Sequence, residues 1–207
     1  GINVDNIAED IKLVIVPDAS SNEVEIHKQL AERGIEVVIL DHHHAPFDET
    51  DPAIIVNNQM CDYPNKALSG VGIVYKFCKA LDEAFKVSYA DDFLDLVALG
   101  MIADMMDLRD LETRYYTVEG TKDANINNSF IKMMMLKNEF KIQNHLNPFT
   151  VSWYISPFIN AMTRSGTIEE KQLLFRSMLE YEAFEYIPST KKGAKGEFEY
   201  VVEQAVR

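Results

Sequence analysis

Three short apolar runs, each closed by a polar residue, set the pattern of the first sixty positions. Residues 11–17 (IKLVIVP) read as a buried strand that stops at Asp18. Residues 35–40 (IEVVIL) read as a second strand that stops at Asp41. Between them, Val24, Ile26 and Leu30 recur at helical spacing from Glu23 to Arg33, with Ser20, Ser21 and Asn22 as candidate N-caps and Gly34 placed to end the helix. Strand, helix, strand in about thirty residues is a βαβ unit, so the two strands are expected to run parallel. Residues 53–57 (AIIVN) supply a third strand.

From Gly70 onward the period becomes helical, with helices expected at 70–85, 91–106, 110–122, 126–138, 152–163 and 167–183. Pro157 is expected to bend or delay the start of the fifth. The run 188–196 (PSTKKGAKG) reads as loop or linker, and a short helix is expected from Glu197 to Arg207. The pattern predicts an α/β fold: a parallel β-sheet flanked by helices over 1–110, a helical cap over 111–190, and a linker with the start of a further helix over 191–207.

Composition narrows this picture. A chain of 207 residues with 47% hydrophobic side chains has enough apolar surface to bury a core, which excludes wholesale disorder. No run is long and apolar enough for a transmembrane helix. Cys61 and Cys78 are too few for a disulfide framework or a cysteine zinc site, so a reducing, cytoplasmic setting is expected. The net charge of −13 is uneven: residues 1–110 hold 8 Lys/Arg against 21 Asp/Glu, and residues 111–207 hold 12 against 12. An acidic half beside a neutral one suits a carboxylate-rich metal site with a separate anion-handling surface, and equally an ordinary acidic surface.

In open parallel sheets ligands bind beyond the carboxyl ends of the strands, where Asp18 and Asp41 fall, followed at once by His42, His43 and His44. Asp104 sits in LVALGMIADMMDL, an apolar stretch in which a buried carboxylate needs compensation. Asp18, a histidine after Asp41, and Asp104 together offer hard oxygens and imidazole for Mn²⁺, Mg²⁺ or Fe²⁺. Singly, each has a plainer reading: Asp18 as a helix cap, the histidines as a solvated loop, and Asp104 as an exposed residue or a partner of Arg109. His27 and His145 read as surface residues, and Cys61, Cys78 and Met133–Met135 as core or cover.

Four segments in order resemble the DHH phosphoesterase family, and within it the RecJ-like single-strand-specific exonucleases. LVIVPDAS (13–20) is similar to the family's second motif, VVILDHHHAP (37–46) to its signature third motif, and LVALGMIADMMDL (96–108) to its fourth. SPFINAMTRSG (156–166) resembles the RecJ-type segment that carries an Asn and an Arg near the substrate phosphates, and YPNKALSGVG (63–72) also looks RecJ-like. The resemblance implies a phosphodiesterase that uses two Mn²⁺ (or Mg²⁺) ions per complete site and releases nucleoside monophosphates from the 5′ end of single-stranded DNA. It implies Asp18, His42 and Asp104 as metal ligands, with Asp18 bridging the two ions. It implies His43 facing the scissile phosphate, Asp41 behind an imidazole, and Arg164 and Asn160 on substrate phosphate. The same family includes enzymes of oligoribonucleotides and small nucleotides, and a non-catalytic scaffold on this fold is a third reading. The family's first motif, an Asp-x-Asp, has no match ahead of Asp18, and the glycine-rich C-terminal nucleic-acid-binding domain has none either. The segment is therefore expected to behave as the central part of a catalytic domain, folded but nearly inactive.

Overall fold

The computed structural model describes residues 2–46 and 48–207. They form two compact units: Gly1–Asp91 with Asp104–Tyr115, and Asp92–Ala103 with Tyr116–Arg207. The first holds strand β1 (Leu13–Pro17), helix α1 (Val24–Glu32), strands β2 (Glu36–Asp41) and β3 (Ile54–Asn57), and helix α2 (Gly70–Phe85). The sheet has the order β1-β2-β3 and both pairings are parallel, as the βαβ spacing predicts. The central strand, β2, is the most buried, because it is flanked by a strand on each edge, whereas β1, read from the sequence as buried, alternates exposed and half-buried side chains. Its Val37 and Ile39 pack with Leu30 of α1 and Ile35 into the core of this unit.

Local signals place α1 correctly but not its cap. The N-cap is Glu23, with no side-chain cap bond, and the backbone N–H of Ser21 instead donates to Asp41 Oδ2 at 3.2 Å. Ser21 is drawn away from the helix and toward the sheet edge. Gly34 closes the helix at φ +71°, a left-handed conformation that glycine adopts without a Cβ penalty.

The second unit is helical. Helix α3 (Leu94–Ala103) belongs to it, and α4 (Leu111–Gly120) begins in the first unit and ends in the second. Then come α5 (Ser129–Lys137), α6 (Glu139–Ile142), α7 (Pro148–Thr150), α8 (Ser156–Ser165), α9 (Ile168–Met178) and α10 (Glu180–Ala183). Phe130, Ile131, Met134, Val151, Ile155 and Val202 are the heart of its core. Buried Asp95 accepts hydrogen bonds from the backbone N–H groups of Asn127 and Asn128, both at 2.7 Å, and so anchors the start of α5.

The C-terminal stretch differs from the sequence reading. Tyr186–Pro188 (β4) and Phe198–Tyr200 (β5) pair antiparallel around the lysine-rich loop, and the last helix, α11, is only Val201–Ala205. Exposed Phe198, buried Glu199 and half-buried Tyr200 point alternately to the two faces, which makes this a ribbon rather than a helix start. Among the described residues no helix is long and apolar enough to cross a membrane.

Candidate metal centre

The carboxyl ends of β1 and β2 lie side by side, since Pro17 registers with Leu40 and the Asp18 N–H donates to the Leu40 carbonyl at 2.8 Å. Asp18 then turns out of the sheet at φ +59°, in the left-handed region that Asp and Asn tolerate better than most residues. Its carboxylate is 58% exposed. Glycine at the first position of α2 is required here: a Cβ on Gly70 would fall 2.6 Å from Asp18 Cβ and 2.5 Å from its Cγ. The loop that leads into α2 is fastened by Glu112, whose carboxylate accepts from Tyr63 Oη at 2.8 Å, Asn65 Nδ2 at 3.0 Å and Lys76 Nζ at 2.7 Å.

Asp41 ends β2 with 1% of its surface exposed. Its Oδ1 accepts from the backbone N–H groups of His42 at 2.8 Å and His43 at 3.3 Å, and from the His43 ring at 2.7 Å. Burial alone raises the pKa of this carboxyl, but hydrogen bonds from His43 and Ser21 and the adjoining backbone donors outweigh it and lower the pKa to about 2. An anionic Asp41 holds the proton of His43 on Nδ1 and leaves Nε2 free to act outward. A second brace carries no signal in the sequence. Asn57, beside Asp41 in the register of β3, donates from Nδ2 to Ser21 Oγ at 2.9 Å and to the His43 carbonyl at 2.8 Å. The ring and backbone of His43 are thus fixed from two sides, though the ring itself is 62% exposed.

His42 Nε2 lies between two carboxylates, 3.2 Å from Asp18 Oδ1 and 3.3 Å from Asp104 Oδ2. Single ligand atoms of Asp18, His42 and His43 all fall within 4.8 Å of one another. Asp18, His42 and Asp104, which the sequence reading groups as ligands, therefore meet at one imidazole nitrogen. One part of that reading needs correction: Asp104 is 48% exposed, because α3 ends at Ala103 and Met105 turns at φ +52°. Its place next to His42, rather than the cost of burying it, is what ties it to the cluster. Arg109 pairs with Asp107 instead, at 2.6 Å.

The donor set, two carboxylates and an imidazole converging with a second imidazole beside them, fits a hard divalent cation such as Mn²⁺. A proton competes with a cation for the same nitrogen. The hydrogen bond to Asp18 raises the pKa of His42 above its ordinary value; burial opposes this, and the charges of Asp18, Asp104 and Asp41 add to the rise. The protonated pair stabilises the metal-free fold below the unfolded value near pH 6.5, and that stabilisation is lost as pH rises through the higher folded value. A metal needs the neutral ring, so its affinity runs the other way. Differential scanning fluorimetry should show the Tm gain from saturating Mn²⁺ growing over the pH window that opens near the ordinary histidine value of about 6.5 and extends above it. Without metal, the Tm difference between the native chain and His42→Ala should shrink over the same window. A metal-induced gain that is flat or falls with pH would contradict this competition.

The other candidate residues separate. Asn160 and Arg164 sit on α8 of the second unit, one turn apart and both exposed, and Arg164 makes no ion pair among the described residues. His44 is a loop residue. His27 is not on the surface: it is fully buried, with Nδ1 2.9 Å from Asp51. Cys61 is exposed rather than core, and Met134 is the buried member of its methionine run.

The chain is similar to known proteins. The DHH family N-terminal domain matches residues 1–101. YorK, from the SPbeta prophage of Bacillus subtilis (strain 168) and named among single-strand DNA-specific exonucleases, is 42% identical over 93% of this chain and 33% of its own length. The single-stranded-DNA-specific exonuclease RecJ of Bacillus subtilis (strain 168) is 30% identical over 84% of this chain and 21% of its own. A crystal structure of exonuclease RecJ bound to manganese superposes with a TM-score of 0.66 and 25% identity, covering 84% of this chain and 45% of that one. RecJ from Thermus thermophilus, in complex with Mn²⁺, gives the same TM-score over 77% of this chain and 24% of that one. The chain thus spans about a third of the length of YorK and less of RecJ.

Proposed function

We propose, from the match of the DHH family N-terminal domain to residues 1–101, that the protein is a Mn²⁺-dependent phosphodiesterase that releases nucleoside monophosphates from the 5′ end of single-stranded DNA. The observation that carries the proposal is the convergence of Asp18 and Asp104 on the Nε2 of His42, with His43 braced alongside. Asp18, His42 and Asp104 are the residues that would hold the metal. A divalent ion there supplies Lewis-acid charge and lowers the pKa of a bound water.

The chain's own side chains do the rest. His43, its Nδ1–H donated to Asp41, presents Nε2 to the phosphate and donates from it to a phosphate oxygen when the ring carries a proton on both nitrogens. Asp41 keeps Nδ1 protonated and the ring in one orientation. Arg164 and Asn160 offer a guanidinium fork and an amide to the phosphates of the strand. The names of YorK and RecJ support single-stranded DNA as substrate. A reducing, cytoplasmic location and the division at residues 110 and 190 belong to the same proposal, with the linker from 191 now folded as a ribbon and short helix.

The test is degradation of 5′-phosphorylated single-stranded DNA with Mn²⁺ by the protein expressed at the full length its gene encodes. Mononucleotides should be released from the 5′ end, and His43→Ala should slow release at least about a hundredfold, as loss of a group that meets transition-state charge does. Intact DNA alongside hydrolysed oligoribonucleotides or dinucleotides would overturn the substrate. Undiminished cleavage by His43→Ala would overturn the roles.

A further inference from the structure

The longest stretch of the chain without an acidic residue runs from Phe140 to Ile168, in a protein that carries 33 acidic residues. Its ionisable cations and imidazole are Lys141, His145 and Arg164. Within it two large aromatic rings face solvent: Phe149 is 62% and Trp153 65% exposed. Their ring centroids are 5.9 Å apart with planes inclined at 40°, so together they form an open aromatic corner. Tryptophan is seldom left this bare, since covering it would remove a large apolar area from water.

The exposure has a structural cause. Residues Val151–Ile155 form a π-turn, in which the Ser156 N–H reaches the Val151 carbonyl five residues back. Pro157 has no N–H to give the Trp153 carbonyl, so the ordinary helical bond at that position is missing and the turn widens. Val151 and Ile155 remain fully buried in the core, and Trp153 is held outward between them. Helix α8 continues directly from this turn, and Asn160 lies two turns beyond Trp153, about 10 Å along the axis. Arg164 lies one turn further, exposed and without an ion pair among the described residues.

An aromatic ring, an amide and a free guanidinium on one exposed, acid-free segment match what a flexible polynucleotide strand offers: bases with π-faces joined by phosphates. We propose that Trp153, flanked by Phe149, stacks a nucleobase of a single-stranded nucleic acid whose phosphates are held by Asn160 and Arg164. The proposal rests on the reading of the protein as a single-strand phosphodiesterase and adds a grip on the base. Stacking is indifferent to base identity, so this segment contributes affinity without sequence preference.

Trp153 is the single tryptophan of the chain, and its emission reports on its own site. With Mn²⁺ chelated to prevent hydrolysis, a fluorescein-labelled oligothymidylate is titrated by anisotropy, and an unlabelled one by indole emission. Binding should quench Trp153 saturably, with the same midpoint in both assays, and duplex DNA should quench little. Trp153→Ala should bind about tenfold more weakly, within the range for one base stacked on an aromatic ring. Trp153→Phe, which keeps a ring, should stay close to the native affinity. Binding that leaves the indole emission unchanged, with Trp153→Ala as tight as the native chain, would overturn the stacking role and leave the single-strand reading standing. Absence of any single-strand binding would overturn both.

Discussion

Alanine in place of Gly70 is expected to weaken Mn²⁺ binding at least about a hundredfold while leaving the chain folded, the upper end of what disturbing a ligand's support costs. The added Cβ would overlap Asp18 at its Cγ, 2.5 Å away, and at its Cβ, 2.6 Å away. A rotation of the Asp18 side chain cannot relieve the second overlap, because Cβ is fixed to the backbone. The turn after β1 must therefore shift, and the carboxylate moves away from His42 Nε2. Alanine is the better helix former of the two residues, by up to about 1 kcal/mol in a helix interior, so α2 itself has no reason to unravel. Calorimetric titration with Mn²⁺, beside urea unfolding of the same preparation, separates the two effects. Native affinity in a folded Gly70→Ala chain would mean that the position of Asp18 does not matter to the metal.

Asp18→Asn is expected to produce a loss of similar or larger size by chemistry instead of displacement. Asparagine keeps the size of the side chain and tolerates the left-handed φ of +59° at this position, where alanine would be strained. What it removes is the charge, which adds to the raised pKa of His42 and strengthens the hydrogen bond that is its largest cause. The prediction is a fall of more than about a hundredfold in Mn²⁺ affinity, since a ligand should matter more than the groups that support one. In the metal-free chain the titration of His42, followed by its ring proton resonances, should move down toward the ordinary value. Affinity reduced by less than about threefold would remove Asp18 from the ligand set.

Much of this site can be read before any coordinates, for a physical reason. The strands of a parallel sheet are apolar on both faces, so the polar residues that stop them, Asp18 and Asp41, mark the edge where ligands bind. The helices from Gly70 to Met178 announce themselves by periodicity, with ends displaced by a few residues. What the sequence withholds are partnerships across the fold. Asn57 looks like an ordinary strand end, and only its register beside Asp41 makes it a brace for His43. Ser21 has the composition of a helix cap, yet its N–H serves Asp41. His27 follows a helical pattern compatible with the surface, and its burial depends on Asp51, twenty-four residues away. The apolar neighbours of Asp104 predict its burial, whereas the left-handed turn at Met105 carries it out of the helix. Each of these is a long-range pairing or a backbone reversal that one-dimensional hydrophobicity does not encode.

If Asp18, His42 and Asp104 form one metal centre, the position of a bound ion is its most direct measurement. Crystals of this chain grown with Mn²⁺ would be measured for anomalous scattering at the manganese edge. The strongest peak should lie within bonding distance, about 2.2 Å, of His42 Nε2 and of oxygens of Asp18 and Asp104. A strongest peak elsewhere on the chain, with His42 still bridging the two carboxylates as it does in the metal-free fold, would contradict it.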